Sequence, residues 1–475
     1  MEKKKTKIVA TISDRNCDVP FLEKLFQSGM DVVRMNTAHQ SIEDSRRVIG
    51  NARQVSDRLA LLIDTKGPEI RTNSTETGLE VKTGDLVYVK GAPDVSSYDN
   101  VICLSYRGIA EEIPAGSRLL IDDGDIELVV KSRDNDFLIC EARNPGIILG
   151  RKSVNIPGIE VKLPSLTDRD KEFVQLAIDE DIDFIAHSFV RNKEDVIQIQ
   201  EILDKHSSKV KIIAKIENQA GVDHIDEILD HAYGVMVARG DLAIEIPYAK
   251  IPGIQKMLID KCIQRRKPVI IATQMLHSMI NNPRPTRAEV SDIANAIYSH
   301  TDAIMLSGET AYGKYPLESL KTMANVALEV EKTKESIHDI PVEVINNEIS
   351  AFLIKAAVEA AVNLSARAIL ADSMSGRTIR SLAAYRGNRM IWAKCYDRRV
   401  VRELMLSYGV RANYMKPTET SHDFVRLAGD SLLHDGVIDK LDLLVVIAGN
   451  FGHNTGASYI EIGTVENLIN KTVRA

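Results

Sequence analysis

Short runs of Val, Ile and Ala recur along the chain, and each is followed by a stretch whose apolar positions return with the period of a helix. The runs are continuous rather than alternating, the pattern of parallel strands buried on both faces. Eight can be marked, at residues 7–13, 31–35, 60–64, 183–188, 210–216, 234–238, 268–273 and 302–306. Eight βα units at this spacing predict a closed (β/α)8 TIM barrel, although periodicity by itself is also compatible with an open doubly wound sheet. Helix signals agree. Thr286 and Glu289 form a capping-box pattern opening a helix to Ser299, and Pro316 suits the first turn of the helix after the eighth strand.

Between the third strand and its helix, residues 72–162 have a different texture. Strand-like segments at 86–90, 118–121 and 126–130 are punctuated by the turn sequences KTGD, DDGD and NPG. This predicts an inserted small β-barrel domain capping the larger barrel. After Pro341 a helix at 348–364 and strands at 368–370, 390–393, 412–414 and 443–447 predict an open α/β sheet. The expected division is 1–71 and 163–340 for the barrel, 72–162 for the cap and 341–475 for a C-terminal α/β regulatory domain.

Composition narrows the class. A chain of 475 residues, 44% of them hydrophobic, can bury several cores. A net charge of -7, with no Lys/Arg run longer than Lys3-Lys4-Lys5, argues against a nucleic-acid partner. Cys17, Cys103, Cys140, Cys262 and Cys395 are scattered and include no C-x-x-C pair, which disfavours a disulfide framework or a zinc site. They fit reduced thiols. No apolar region follows the N-terminal lysines, and no apolar run reaches the about 18 residues of a membrane span. The expectation is a cytoplasmic protein without membrane association.

In a (β/α)8 barrel the site forms at the C-terminal strand ends, so the residues closing each run carry the chemistry. They are Arg34 and Asn36, Asp64 to Lys66, Lys215 and Glu217, Arg239 to Asp241, Thr273 and Gln274, and Ser307 to Glu309. Carboxylates Asp64, Glu217 and Asp241 beside Arg34 and Lys215 suit a hard divalent cation and an anionic, phosphate-bearing substrate. No His or Cys closes these strands, which disfavours a zinc hydrolase or thiol nucleophile. One such residue alone could equally be a salt-bridged rim residue. Their concentration at one barrel end points to catalysis, because a barrel needs no such ring for stability.

The segments VRMN (33–36), DTKGPEIR (64–71), IAKIEN (213–218), MVARGDL (236–242), ATQML (272–276), PRPTRAE (283–289) and IMLSGET (304–310) resemble the pyruvate kinase family, in order from Lys7 to about Lys321. The resemblance implies transfer of the phosphoryl group of phosphoenolpyruvate to ADP, giving pyruvate and ATP in the last step of glycolysis. It implies that Lys215 stabilises the transferring phosphoryl group, that Glu217 and Asp241 ligate Mg2+ (or Mn2+), and that Arg34 holds the phosphate. The amides of Gly240 and Asp241 would hold the substrate carboxylate, and Thr273 would take part in protonating the enolate. Arg34, Asn36, His39, Arg71 and Lys152 would serve the nucleotide, with Lys152 and Asp123 delivered by closure of the cap. A lone histidine such as His39 is otherwise more often a surface turn residue.

The same resemblance implies a K+ site from Asn36, Asp64, the Thr65 carbonyl and a serine hydroxyl. Here the serine is replaced by Ala38. Members that dispense with K+ carry a lysine where this chain has Glu69, so Glu69 points to dependence. Ser373, Ser375, Gly376, Arg377 and Thr378 form a hydroxyl-rich loop between a strand and a helix, which would hold a phosphorylated effector; an ordinary capped turn is the competing reading. A homotetramer is also implied. Two rivals are a Mg2+-dependent pyruvate-enolate aldolase or lyase, which would not need Lys152 or Asp123, and a catalytically inactive phosphometabolite-sensing homologue.

Overall fold

Every one of the eight apolar runs forms a strand, and the side chains along each go alternately inside and outside a ring. The computed structural model describes residues 4–75, 77–334, 341–343, 348–449 and 456–470. Lys3 of the basic run and the expected boundary at residue 340 lie outside the described residues. The barrel strands are β1 (Lys7–Thr11), β2 (Val32–Asn36), β3 (Ala60–Asp64), β4 (Phe184–His187), β5 (Lys211–Ile216), β6 (Gly234–Ala238), β7 (Val269–Ala272) and β8 (Ala303–Leu306). They pair in parallel in sequence order and close on themselves, so the barrel holds and the open sheet does not.

β1 stops at Thr11, two residues before the expected end, and several strands start one residue late. Three of the late starts follow an aspartate. Asp31, Asp183 and Asp302 lie just before β2, β4 and β8, and their buried carboxylates accept the backbone N–H of Ile8, Leu61 and Val269 from neighbouring strands at 2.9, 2.9 and 3.2 Å. These side-chain bonds pin the barrel's base, while the backbones of the same aspartates bond to neighbouring strands, as in Asp31 N to Ile8 O at 2.9 Å and Lys7 N to Asp302 O at 2.8 Å.

Inward residues including Val9, Leu62, Phe184, Ile213, Met236 and Ile270 fill the ring, and their cluster continues into the C-terminal sheet through Ile369, Ala393 and Leu404. Outward residues such as Ile63, Ile185 and Val237 pack on the surrounding helices. Complete burial of each large aliphatic side chain contributes about 1.5–3 kcal/mol. The predicted caps are present. Thr286 Oγ1 accepts from the Glu289 amide while Glu289 accepts from that of Thr286, and Pro316 opens the helix Pro316–Thr333.

The inserted segment forms a six-stranded sheet in the order Val154–Asn155, Arg118–Ile121, Ile126–Asp134, Phe137–Ala142, Leu86–Gly91, Val101–Leu104, over one apolar core. Its two edges are tied by a short segment. Thr72 N donates to Lys152 O at 2.9 Å on one side, and Asn73 N donates to Cys103 O at 2.8 Å on the other. The ring expected of a small β-barrel is thus completed by isolated bridges rather than a full strand.

The C-terminal sheet comprises β9 (Ala368–Ser373), β10 (Ile391–Cys395), β11 (Val410–Tyr414), β12 (Leu443–Gly449) and β13 (Ala457–Thr464), in the order β11-β10-β9-β12-β13. β13 was not anticipated. It is an antiparallel edge strand, mostly half-exposed, and so lacks the continuous apolar run of its parallel neighbours. Arg386 and Arg402 from this domain reach Asp302 and Asp183 at 2.6 Å each, joining the sheet to the barrel's base. Among the described residues all the cysteines are free and buried, and no helix is long and apolar enough to cross a membrane.

Candidate active site

The inward register continues beyond the apolar layers. Val32, Arg34 and Asn36 share one side of β2; Leu62 and Asp64 share one side of β3; Ile213 and Lys215 share one side of β5, and Glu217 follows. Their polar ends meet at the C-terminal mouth. Arg34 Nε donates to Asp64 Oδ2 at 2.6 Å, and its Nη1 donates to Thr11 Oγ1 at 2.8 Å. Lys215 Nζ sits 3.0 Å from Asp64 Oδ1 and 3.0 Å from Glu217 Oε1.

Ser188 completes this cluster, although sequence reasoning passed over it. Its Oγ accepts from Lys215 Nζ at 2.7 Å and donates to the Thr65 carbonyl at 2.6 Å. The signal for it is its place two residues beyond inward-facing Ala186. Phe189, at φ 55°, turns the chain so that its amide donates to Glu217 Oε2 at 2.7 Å. Gly67 has to be glycine beneath this turn, because at φ +72° a Cβ would lie 2.8 Å from the Phe189 and Ser188 side chains.

Charge is balanced tightly. Burial works against the Lys215 ammonium, but the Asp64 and Glu217 carboxylates hold its pKa above the ordinary value. Burial likewise opposes ionisation of Asp64, yet Arg34 and Lys215 keep it below the usual range. Glu217 behaves differently. Burial, opposed by Lys215 and reinforced by Asp241, pushes it up to about 7. Burial also raises Asp241, against the pull of Lys215, with the cap's Asp123 adding to the rise. Among the described residues no three Asp, Glu, His or Cys side chains form a metal cage. Arg34 and Lys215 flank Asp64, and Lys215 is shared with Glu217, so Glu217 and Asp241 are the carboxyls least compensated at the mouth. Such a pair fits Mg2+, which is commonly held by one or two carboxylates and completes its shell with water and substrate oxygens.

Thr273 and Gln274 follow β7 with φ of 68° and 58°, an arrangement that costs on the order of 1–3 kcal/mol per non-glycine residue. Arg239 supports it by donating to the Thr273 carbonyl at 2.8 Å. The Gly240 amide, expected to be open for a substrate carboxylate, instead donates to Thr273 Oγ1 at 2.9 Å. Glu309, another strand-end residue, is buried and accepts from the Leu276 and Ser307 amides, so it braces two loops.

Arg34, Asn36 and His39 line a cavity of about 480 Å³ beside the mouth, together with Arg15, Ser307 and Tyr312. Arg71 and Lys152 lie elsewhere, on neighbouring segments of the cap seam. Arg71 pairs with Glu69 at 2.7 Å, and Lys152 pairs with Asp122 at 2.7 Å. Glu69 thus engages Arg71, whereas Asp64 lies between Arg34 and Lys215. Asn36 Oδ1 accepts from the Ala38 amide at 3.1 Å. In the C-terminal loop Gly376, at φ 73°, donates to Ser373 Oγ at 2.8 Å, and Arg377 and Thr378 open the helix Arg377–Ala384.

Known proteins match this arrangement along its length. Residues 3–320 match the family model for the pyruvate kinase barrel domain, and residues 352–462 match that for the pyruvate kinase alpha/beta domain. The chain is 47% identical to a pyruvate kinase of Borreliella burgdorferi over 474 residues, 99% of each chain. It is 40% identical to the pyruvate kinase of Geobacillus stearothermophilus over 99% of this chain and 82% of that one. A crystal structure of a pyruvate kinase from Cryptosporidium parvum aligns with a TM-score of 0.92 at 33% identity, over 97% of this chain and 96% of that chain. With the barrel, its charged mouth and the C-terminal sheet all matched in order, the chain belongs to the pyruvate kinase family of phosphotransferases.

Proposed function

We propose that this chain transfers the phosphoryl group of phosphoenolpyruvate to ADP at the barrel mouth. The observation that carries the reading is the Lys215 ammonium, held charged between Asp64 and Glu217 and close to Arg34. Phosphoryl transfer demands little covalent chemistry of a protein and much fixed positive charge, and two cations locked by buried carboxylates provide it without reorganisation. Arg34 holds the phosphate and Lys215 stabilises it in flight. The Asp241 amide, joined by that of Gly240 once the Thr273 hydroxyl turns away, holds the substrate carboxylate. The Thr273 hydroxyl accepts from Gly240 and keeps its own proton for a relay to the enolate carbon, with a water taking part. Glu217 and Asp241 hold Mg2+ (or Mn2+), which supplies neutralising charge to substrate oxygens. A coupled assay for pyruvate from phosphoenolpyruvate and ADP tests the reading. No product under any cation condition, with the fold intact, sinks it.

The carboxyl pair gives this site a pH signature. Because the pKa of Glu217 is raised to about 7, protons compete with the metal below that value and no longer above it. Affinity for Mn2+ alone, by calorimetry, should be level above about pH 8 and weaken by up to about tenfold per unit below about pH 7. A flat profile across this range would show that Glu217 is not a ligand.

Asn36, Asp64 and the Thr65 carbonyl are the groups we assign to K+. Ala38 contributes no hydroxyl, and water can take that coordination position. Activation by K+ should therefore need more of the ion than in members that keep the serine, less in Ala38→Ser, and be bypassed in part by Glu69→Lys, which also releases Arg71. Equal initial rates in potassium and tetramethylammonium salts at matched ionic strength would show the dependence to be absent.

Asn36 and His39 on the cavity beside Arg34 receive the nucleotide, and closure of the cap brings Arg71 and Lys152 to it. Ser373, Ser375, Gly376, Arg377 and Thr378 form the site for a phosphorylated effector. Ser375→Asp, which sets a carboxylate against any bound phosphate, should abolish effector shifts of the phosphoenolpyruvate saturation curve. The protein is cytoplasmic and a homotetramer, a state supported by exposed Ile349 and Phe352 and by the β13 sheet edge. We retain residues 1–71, 72–162, 163–340 and 341–475 as its structural divisions.

A further inference from the structure

At the start of the C-terminal strands, opposite the Ser373 loop, a cavity of about 560 Å³ opens between the sheet and the barrel helix Pro316–Thr333. We propose that this cavity binds a phosphorylated small molecule, at a site distinct from both the barrel mouth and the Ser373 loop. Its volume is in the range of about 300–1,000 Å³ usual for small-molecule sites.

Charge points to the ligand class. Lys5, Lys332, Arg367 and Arg389 line the cavity against two acids, Glu331 and Asp435. The Glu331 oxygens accept from the Lys5 and Thr6 amides at 2.7 Å each, and with both acids counted the lining still carries an excess of two cations. Lys332 has Glu329 as a partner at 2.8 Å.

Position supplies a second argument. Arg367 and Arg389 stand in the bends that lead into the neighbouring parallel strands β9 and β10, and both line the cavity. Two guanidiniums on one cavity wall repel each other unless an anion sits between them. Arg367 is only loosely held, by the Val437 carbonyl at 3.3 Å and Asp442 at 3.8 Å. The Nε of Arg389 is buried with no hydrogen-bond acceptor among the described residues. A phosphate bridging the two guanidiniums would answer both the repulsion and the unpaired donor, since planar guanidinium groups match phosphate oxygens.

Position separates this site from the loop. Arg367 precedes β9 and Ser373 ends it, so the two lie at opposite ends of the sheet's central strand. The walls come from both the barrel helix, through Glu331 and Lys332, and the C-terminal sheet, so an occupant would clamp the seam between them.

Trp392, the chain's only tryptophan, lines the cavity and reports on it. Inorganic pyrophosphate titrated at constant ionic strength, without divalent metal, should change its fluorescence saturably. Arg389→Glu and Arg367→Glu should each weaken the midpoint by at least about tenfold, the scale for a lost charge-assisted contact. Ser375→Asp should leave it in place. If Arg389→Glu does not fold, Arg389→Gln keeps the size of the side chain and should show the same weakening. A response that is absent or unsaturable, one that survives the arginine substitutions, or one that Ser375→Asp removes would each overturn the assignment.

Discussion

Replacing Lys215 by methionine is expected to lower turnover by at least about a hundredfold, with a much smaller effect on phosphoenolpyruvate affinity. The ammonium stands within 3.0 Å of Asp64 and Glu217 and donates to Ser188 at 2.7 Å. No other side chain takes its place, because Arg34 is already turned onto Asp64 and Thr11. A group whose charge is needed most as the phosphoryl moves should depress kcat rather than binding. Initial-rate kinetics at saturating K+ check this, with Mn2+ affinity of the variant as a control for the integrity of Glu217 and Asp241. A variant within about threefold of wild type would remove Lys215 from the chemistry.

The second large effect concerns stability. Arg386→Met is expected to destabilise the protein by about 3–5 kcal/mol, the cost of breaking a buried ion pair from one side. Arg386 reaches Asp302 with two nitrogens, at 2.9 and 2.6 Å, and the side chains are only 2% and 4% exposed. Asp302 also accepts from the Tyr408 and Val269 amides, so its loss of charge compensation would strain β7 of the barrel and the approach to β11 of the C-terminal sheet together. Urea unfolding measures the change. Asp302→Asn added to Arg386→Met should recover part of it, because the buried charge is then gone, although the Val269 amide loses one acceptor. An unchanged midpoint in Arg386→Met would mean that water reaches Asp302 and that the seam is not held by this pair.

Much of this protein can be read from local pattern. Continuous apolar runs mark buried parallel strands wherever they occur, so all eight barrel strands and four strands of the C-terminal sheet were legible. The polar residues that close those runs named the mouth, because strand direction alone assigns them to one end of a barrel. The unanticipated strand β13 carries no continuous apolar run, since an antiparallel edge is covered on fewer sides. Ser188 escaped notice because a serine at a strand end has no charge to draw attention; its role comes from what stands opposite it.

Other features belong to the tertiary structure alone. Sequence shows that Asp64, Glu217 and Asp241 are carboxylates, but Arg34 and Lys215 neutralise the first, while burial together leaves the other two raised. Sequence shows Glu69 as a carboxylate, and the fold sets it against Arg71 at 2.7 Å. Asp31, Asp183 and Asp302 looked like the first residues of strands, and folding made them acceptors for neighbouring amides. Periodicity is a property of one segment and survives in the sequence, whereas pairing and burial depend on residues hundreds of positions away, which only the closed barrel brings within hydrogen-bonding distance.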